Sequence, residues 1–89
     1  MILDQAQVNE ILTDLWANYY DSDKKLIKPP TVERVTRLYA EANDTGFIET
    51  LRALRALFKN GEYESDMEKD NCGIHWRTWS YKGKDKEKV

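Results

Sequence analysis

Apolar residues recur along the first twenty positions at three- and four-residue steps, so that Val8, Ile11, Leu12, Leu15, Trp16 and Tyr19 fall on one stripe of a helix. The spacing predicts this helix from Asp4 to about Tyr20. Asp4 supplies an N-cap whose charge suits the positive helix end, and Asp21-Ser22-Asp23 stops the pattern with turn-favouring residues. Lys24 to Pro30 reads as a connector, because Pro29-Pro30 cannot continue a helix but is preorganised to begin one.

A second helix is predicted from Pro30 or Thr31 to Ala42. It carries Val32, Val35, Leu38, Tyr39 and Ala42 on one face and a Glu33–Arg37 pair on the other. Asn43-Asp44-Thr45-Gly46 ends it and offers Asp44 or Thr45 as the next cap. The third helix, Gly46 to Lys59, has the widest apolar arc, through Phe47, Ile48, Leu51, Leu54, Leu57 and Phe58, and is predicted to be central, with Leu51 and Leu54 in the core. Asn60-Gly61 closes it as a left-handed C-cap.

Beyond Gly61 two readings compete. Ser65-Asp66-Met67-Glu68 fits a helical capping box, but Asn71 and Gly73 would stop such a helix within about two turns. Ile74 to Tyr81, rich in aromatic and branched residues, reads as an extended strand, and Tyr63 with its neighbours can pair with it as a hairpin. On that strand a period of two groups Trp76 with Ile74 and Thr78 as the core side, and His75, Arg77, Trp79 and Tyr81 as the outer side. Lys82 to Val89 is charged and poor in apolar residues, which predicts disorder. The fold class expected is mainly α: residues 1–81 form one small helical domain, a three-helix core with an extended or hairpin C-terminal segment, and 82–89 a disordered tail.

Composition narrows the function. The chain has 89 residues, and one of this size buries only about 60 to 65% of its unfolded surface, so a second copy or a partner is a natural source of extra stability. With Cys72 as its one cysteine, the chain forms no intrachain disulfide, which fits a reducing, cytoplasmic setting. Neither a signal peptide nor a membrane span is expected, since Asp4 follows the first three residues and no long apolar run exists. Net charge is −2, but it is distributed in blocks: −5 over residues 1–23, +4 over 24–59, −4 over 60–71 and +3 from Cys72 onward. That pattern disfavours a globally basic nucleic-acid binder.

The motifs that suggest chemistry fail in their details. Asp21-Ser22-Asp23 with Glu33 resembles a calcium loop, but Lys25 and Leu26 stand where a ligand and the turn glycine belong, Pro29-Pro30 stiffens the loop, and Glu33 falls one residue past the bidentate position. Cys72 and His75 amount to half a zinc site, and on an extended segment their odd spacing points them to opposite faces. Helices two and three invite comparison with a helix-turn-helix, yet the third helix is too apolar to lie in a groove. Phosphate-cradling glycine patterns are lacking, and the acids fall on solvated faces. The expectation is therefore no enzyme, no cofactor and no metal.

Two functional readings remain. The leading one is a small intracellular interaction protein, an adaptor, inhibitor or assembly factor, of a size and charge comparable to phage-encoded modulators. Its contacts would come from an acidic surface including Asp14, Asp21, Asp23 and the 62–70 segment, and from C-terminal anchors Trp76, Arg77, Trp79 and Tyr81. The alternative is a nucleic-acid-binding helical module using Arg34, Arg37, Arg52, Arg55 and Lys59. Self-association is a third possibility.

Overall fold

The computed structural model describes residues 1–21, 29–69 and 73–82, excluding the side chains of Tyr20 and Asp21. The disordered tail expected over 82–89, the calcium-like Asp21-Ser22-Asp23 motif, the Lys24 to Pro30 connector and Cys72 thus lie wholly or in part outside the described residues. Three helices come first, α1 (Gln5–Asp21), α2 (Val32–Asn43) and α3 (Phe47–Asn60), followed by strands β1 (Tyr63–Lys69) and β2 (His75–Tyr81). The strands form an antiparallel hairpin that pairs Tyr63 with Tyr81 at one end and Lys69 with His75 at the other. The architecture is three helices plus a hairpin, and the 65–68 segment is strand rather than a capped helix.

The caps explain where the helices begin. Asp4 Oδ1 accepts from the N–H groups of Ala6 (3.1 Å) and Gln7 (3.3 Å), as its position ahead of the apolar stripe predicts. Thr31 caps α2 by accepting from Arg34 N–H at 3.2 Å. Asp44 is not the cap of α3: it adopts the left-handed conformation (φ 54°) at the end of α2, donating its N–H to Ala40 O. Gly46 then precedes α3 without a side-chain cap. Gly61 differs from expectation too, since its φ of −98° is not left-handed. A side chain there is opposed by proximity instead, because a Cβ would meet Leu57 O at 2.7 Å.

The core joins Val8, Leu12 and Leu15 of α1, Val35 and Tyr39 of α2, Leu54 and Phe58 of α3, and Tyr63 of β1. Leu54 is fully enclosed, but Leu51 is only half-buried, and Phe47 and Ile48 are 42% and 59% exposed. The apolar arc of α3 is thus wider than the face it buries, and enclosed threonines stand on both α2 and α3. Thr36 and Thr50 are both inaccessible there, and each satisfies its hydroxyl on its own helix, Thr36 Oγ1 to Val32 O (2.6 Å) and Thr50 Oγ1 to Gly46 O (2.7 Å). Glu33 reaches across to Arg55 of α3 at 3.8 Å, not along its own helix to Arg37 as expected. Both side chains are well exposed, so the pair contributes little.

Candidate functional site

The hairpin determines what the molecule presents. Alternation along β1 and β2 puts Tyr63, Ser65, Met67, Lys69, His75, Arg77, Trp79 and Tyr81 on one face, and Glu64, Asp66, Glu68, Trp76, Thr78 and Ser80 on the other. The first face closes the core. Trp79 and Tyr81 are half-buried, Trp79 stacks on Phe58 with centroids 5.2 Å apart, and Tyr63 lies between Phe58 (4.8 Å) and Tyr81 (5.2 Å). This reverses the expected placing of the tryptophans, which gave the core to Trp76 and the outer side to Trp79, while Thr78 of the expected core side is enclosed and His75 and Arg77 of the expected outer side are exposed. The reason is that Tyr63 and Phe58 offer an aromatic surface that Trp79 and Tyr81 complete, whereas Ile74 (53% exposed) and Trp76 (37% exposed) are left outside.

The second face carries a row of acids. Glu64, Asp66 and Glu68 alternate along β1, opposite Ser80, Thr78 and Trp76 respectively. With Asn9, Leu12, Thr13 and Trp16 of α1 they line a groove of about 650 Å³. Side-chain hydrogen bonds tie α1 to the hairpin. The Tyr63 hydroxyl donates to Asn9 Oδ1, Trp16 Nε1 donates to Trp79 O at 2.7 Å, and the Tyr19 hydroxyl donates to Glu68 Oε1 at 3.3 Å. Thr78, fully enclosed, gives its hydroxyl to Asp66 O at 3.3 Å. Burial pushes the Tyr63 phenol above its ordinary value, the Tyr81 phenol adds to this, and a hydrogen bond with Gln5 partly offsets it.

This groove holds groups that attract cations: carboxylates in a row, an indole and several hydroxyls. Its acids follow the strand repeat of roughly 6.6 Å between alternate residues, too far apart for one ion. Among the described residues, no cluster of three or more His, Cys, Asp or Glu side chains is placed to hold a metal.

Of the contact residues expected from sequence, Asp14 is exposed on α1 but does not line the groove, while the Asp21 side chain and all of Asp23 fall outside the described residues. Trp76 continues the acid row as the partner of Glu68. Arg77 is exposed on the opposite face and donates to Ser65 Oγ at 3.0 Å. The basic residues lie elsewhere. Arg34 and Arg37 share a shallow groove of about 270 Å³ with Phe47 and Trp76, and Arg55 and Lys59 share one of about 540 Å³ with Arg77 and Trp79. Arg52 is exposed on α3 and lines neither.

Asn9, Thr13, Trp16, Thr78 and Ser80 were not among the expected contacts. The helical stripe assigned Trp16 to the core, while the acids' period of two in Glu64-Ser65-Asp66-Met67-Glu68 was the available sign of a one-sided acidic strand. Among the described residues, no helix is long and apolar enough to cross a membrane. Comparison with protein-family models, curated proteins and solved structures finds no match to this chain.

Proposed function

We propose that this chain is a non-catalytic protein–protein interaction module whose contact surface is the acidic groove between α1 and the hairpin, with Trp76, paired to Glu68 on the adjoining strand, as an aromatic anchor beside it. The observation that carries the reading is the segregation of Glu64, Asp66 and Glu68 onto one strand face beside Trp16, with Glu68 paired to a Trp76 that is 37% exposed and lines the neighbouring groove of Arg34 and Arg37. Charge of one sign along a groove steers a partner of opposite sign and fixes its orientation, and an exposed indole adds apolar contact at low entropic cost. The partner is a protein with a basic surface, and the module acts on it as an adaptor, inhibitor or assembly factor. A cytoplasmic location suits a chain with a single cysteine.

The test compares the wild-type chain with a variant carrying Glu64→Gln, Asp66→Asn and Glu68→Gln, each used to recover partners from the native host at low and at high salt. The expected result is a basic protein retained by the wild type, released by salt and lost by the neutral variant. Equal retention by both chains contradicts the reading.

A second reading is favoured by one arrangement: Arg34 and Arg37 line a groove with Phe47 and Trp76, a combination suited to phosphates and a stacked base of a single strand. Salt-sensitive binding of single-stranded DNA or RNA, abolished by Arg34→Ala with Arg37→Ala, would support it. No binding at low salt removes it.

A further inference from the structure

The backbone of β1 has a side with which no backbone group of the described residues pairs. In an antiparallel ladder, alternate residues aim their N–H and C=O groups at the paired strand and the others aim them away. Two bonds fix the phase here. Lys82 N–H donates to Glu62 O (3.0 Å), so the even-numbered residues of β1 face β2, and Trp79 N–H donates outward to Pro30 O (3.1 Å), so the odd-numbered residues of β2 face away from β1. At Trp79 the outer edge of β2 is therefore occupied, by Pro30 on its N–H and by the indole N–H of Trp16 on its carbonyl. On β1 the outward groups belong to Tyr63, Ser65, Met67 and Lys69. Among the described residues no backbone group pairs with them, and Met67 N–H is held only by the neighbouring Asp66 Oδ1 at 2.8 Å.

An open strand edge invites a second copy of the same chain, but the charges oppose this. Two copies joined antiparallel through their outward, odd-numbered residues also place their even-numbered residues opposite one another. In the fully overlapped register Asp66 faces Asp66 and Glu64 faces Glu68 of the other copy, and a shift by two residues toward Glu62 still sets Glu64 opposite Asp66 and Glu68 opposite Glu62; like charges directly opposed destabilise a pair. The same row is complementary to a strand with Lys or Arg at alternate positions.

We infer that β1 takes up an extended, basic segment of a partner protein by strand addition, its alternate cationic side chains lying over Glu64, Asp66 and Glu68 and its backbone bonding to Ser65 and Met67. This rests on the acidic groove being the contact surface and names how the partner is held. Seven residues form β1, so the occupant spans about 20 Å of extended chain.

The probe is a synthetic peptide of about nine residues alternating lysine and threonine, titrated into the full chain at low ionic strength. A second peptide has the same sequence with alternate backbone nitrogens methylated. Ser65→Pro removes one outward N–H while leaving the ladder to β2 in place, since that ladder uses the even-numbered residues. The expected result is binding of the plain peptide that weakens at least about tenfold in each of three cases: on backbone methylation, in Ser65→Pro, and in the neutral triple variant. Should Ser65→Pro fail to fold, the methylated peptide makes the same distinction on the wild-type chain. If the methylated peptide binds as well as the plain one, strand addition is overturned while the acidic groove stands. If the neutral triple variant binds the plain peptide as the wild type does, both are overturned. A concentration-dependent dimer that Ser65→Pro abolishes makes a second copy the occupant and overturns the proposal.

Discussion

Replacing Trp79 by Ala separates the hairpin's two faces most sharply. Trp79 packs against the core and stacks on Phe58 at 5.2 Å, with the rings inclined by 31°. A wholly enclosed indole buries about 150 to 250 Å², worth about 4 to 6 kcal/mol at ~25 cal/mol per Å². Trp79 is half-buried, and its bonds to Pro30 and Trp16 use its main chain and survive the substitution. The expected loss is therefore about 2 to 4 kcal/mol. The same change at Trp76, 37% exposed and outside the core cluster, removes no contact with Phe58 or the rest of that cluster and should cost less. For a chain of this length each kcal/mol moves the thermal midpoint by roughly 4 to 8 °C, so Trp79→Ala should lower it by roughly 10 to 25 °C and Trp76→Ala by clearly less. Circular dichroism melts and urea titrations on the two variants read this directly. Equal losses, or a larger loss at Trp76, would refute the assignment of faces.

Leu54→Ala, at a fully enclosed position, should cost about 2 to 5 kcal/mol in urea unfolding, and Leu51→Ala, half-buried, clearly less. Asp4→Ala removes the acceptor for Ala6 and Gln7 and should lower stability by about 0.5 to 2 kcal/mol, read from the same melts. Tyr63 links stability to alkaline pH. Its phenol is raised from 10.0 by burial, so as pH rises past about 10 the unfolded chain releases the proton while the native chain keeps it, and stability, fully present below that pH, falls until the native phenol also ionises. Tyr63→Phe should flatten this alkaline decline while costing some stability at neutral pH through the lost bond to Asn9.

The three helices were legible because their signals are local. The Val8 to Tyr19 stripe, the Asp4 cap and the Pro29-Pro30 start each depend on residues within a few turns of one another. The end of α2 was less so, since Asp44 serves equally well as an N-cap or as a left-handed C-cap, and only the path into Gly46 decides. The hairpin tryptophans came out on the opposite sides for a physical reason. Alternation sorts residues into two sets without saying which set meets the core, and Ile74 made the wrong set look the more apolar. Which face packs depends on Phe58 and Tyr63, both distant in sequence from Trp79. The acidic groove has the same origin: its acids come from one strand and Asn9, Thr13 and Trp16 from a helix at the other end of the chain, so neither segment alone describes it.

Whether the contact surface is the acidic groove or the arginine-lined side is decided by backbone amide NMR during titration with the alternating lysine–threonine peptide. The expected shifts concentrate at Asn9, Thr13 and Trp16 of α1 and along Glu64 to Glu68. Shifts confined to Arg34, Arg37, Arg55 and Lys59, or no shifts at low salt, would contradict the acidic groove as the contact surface.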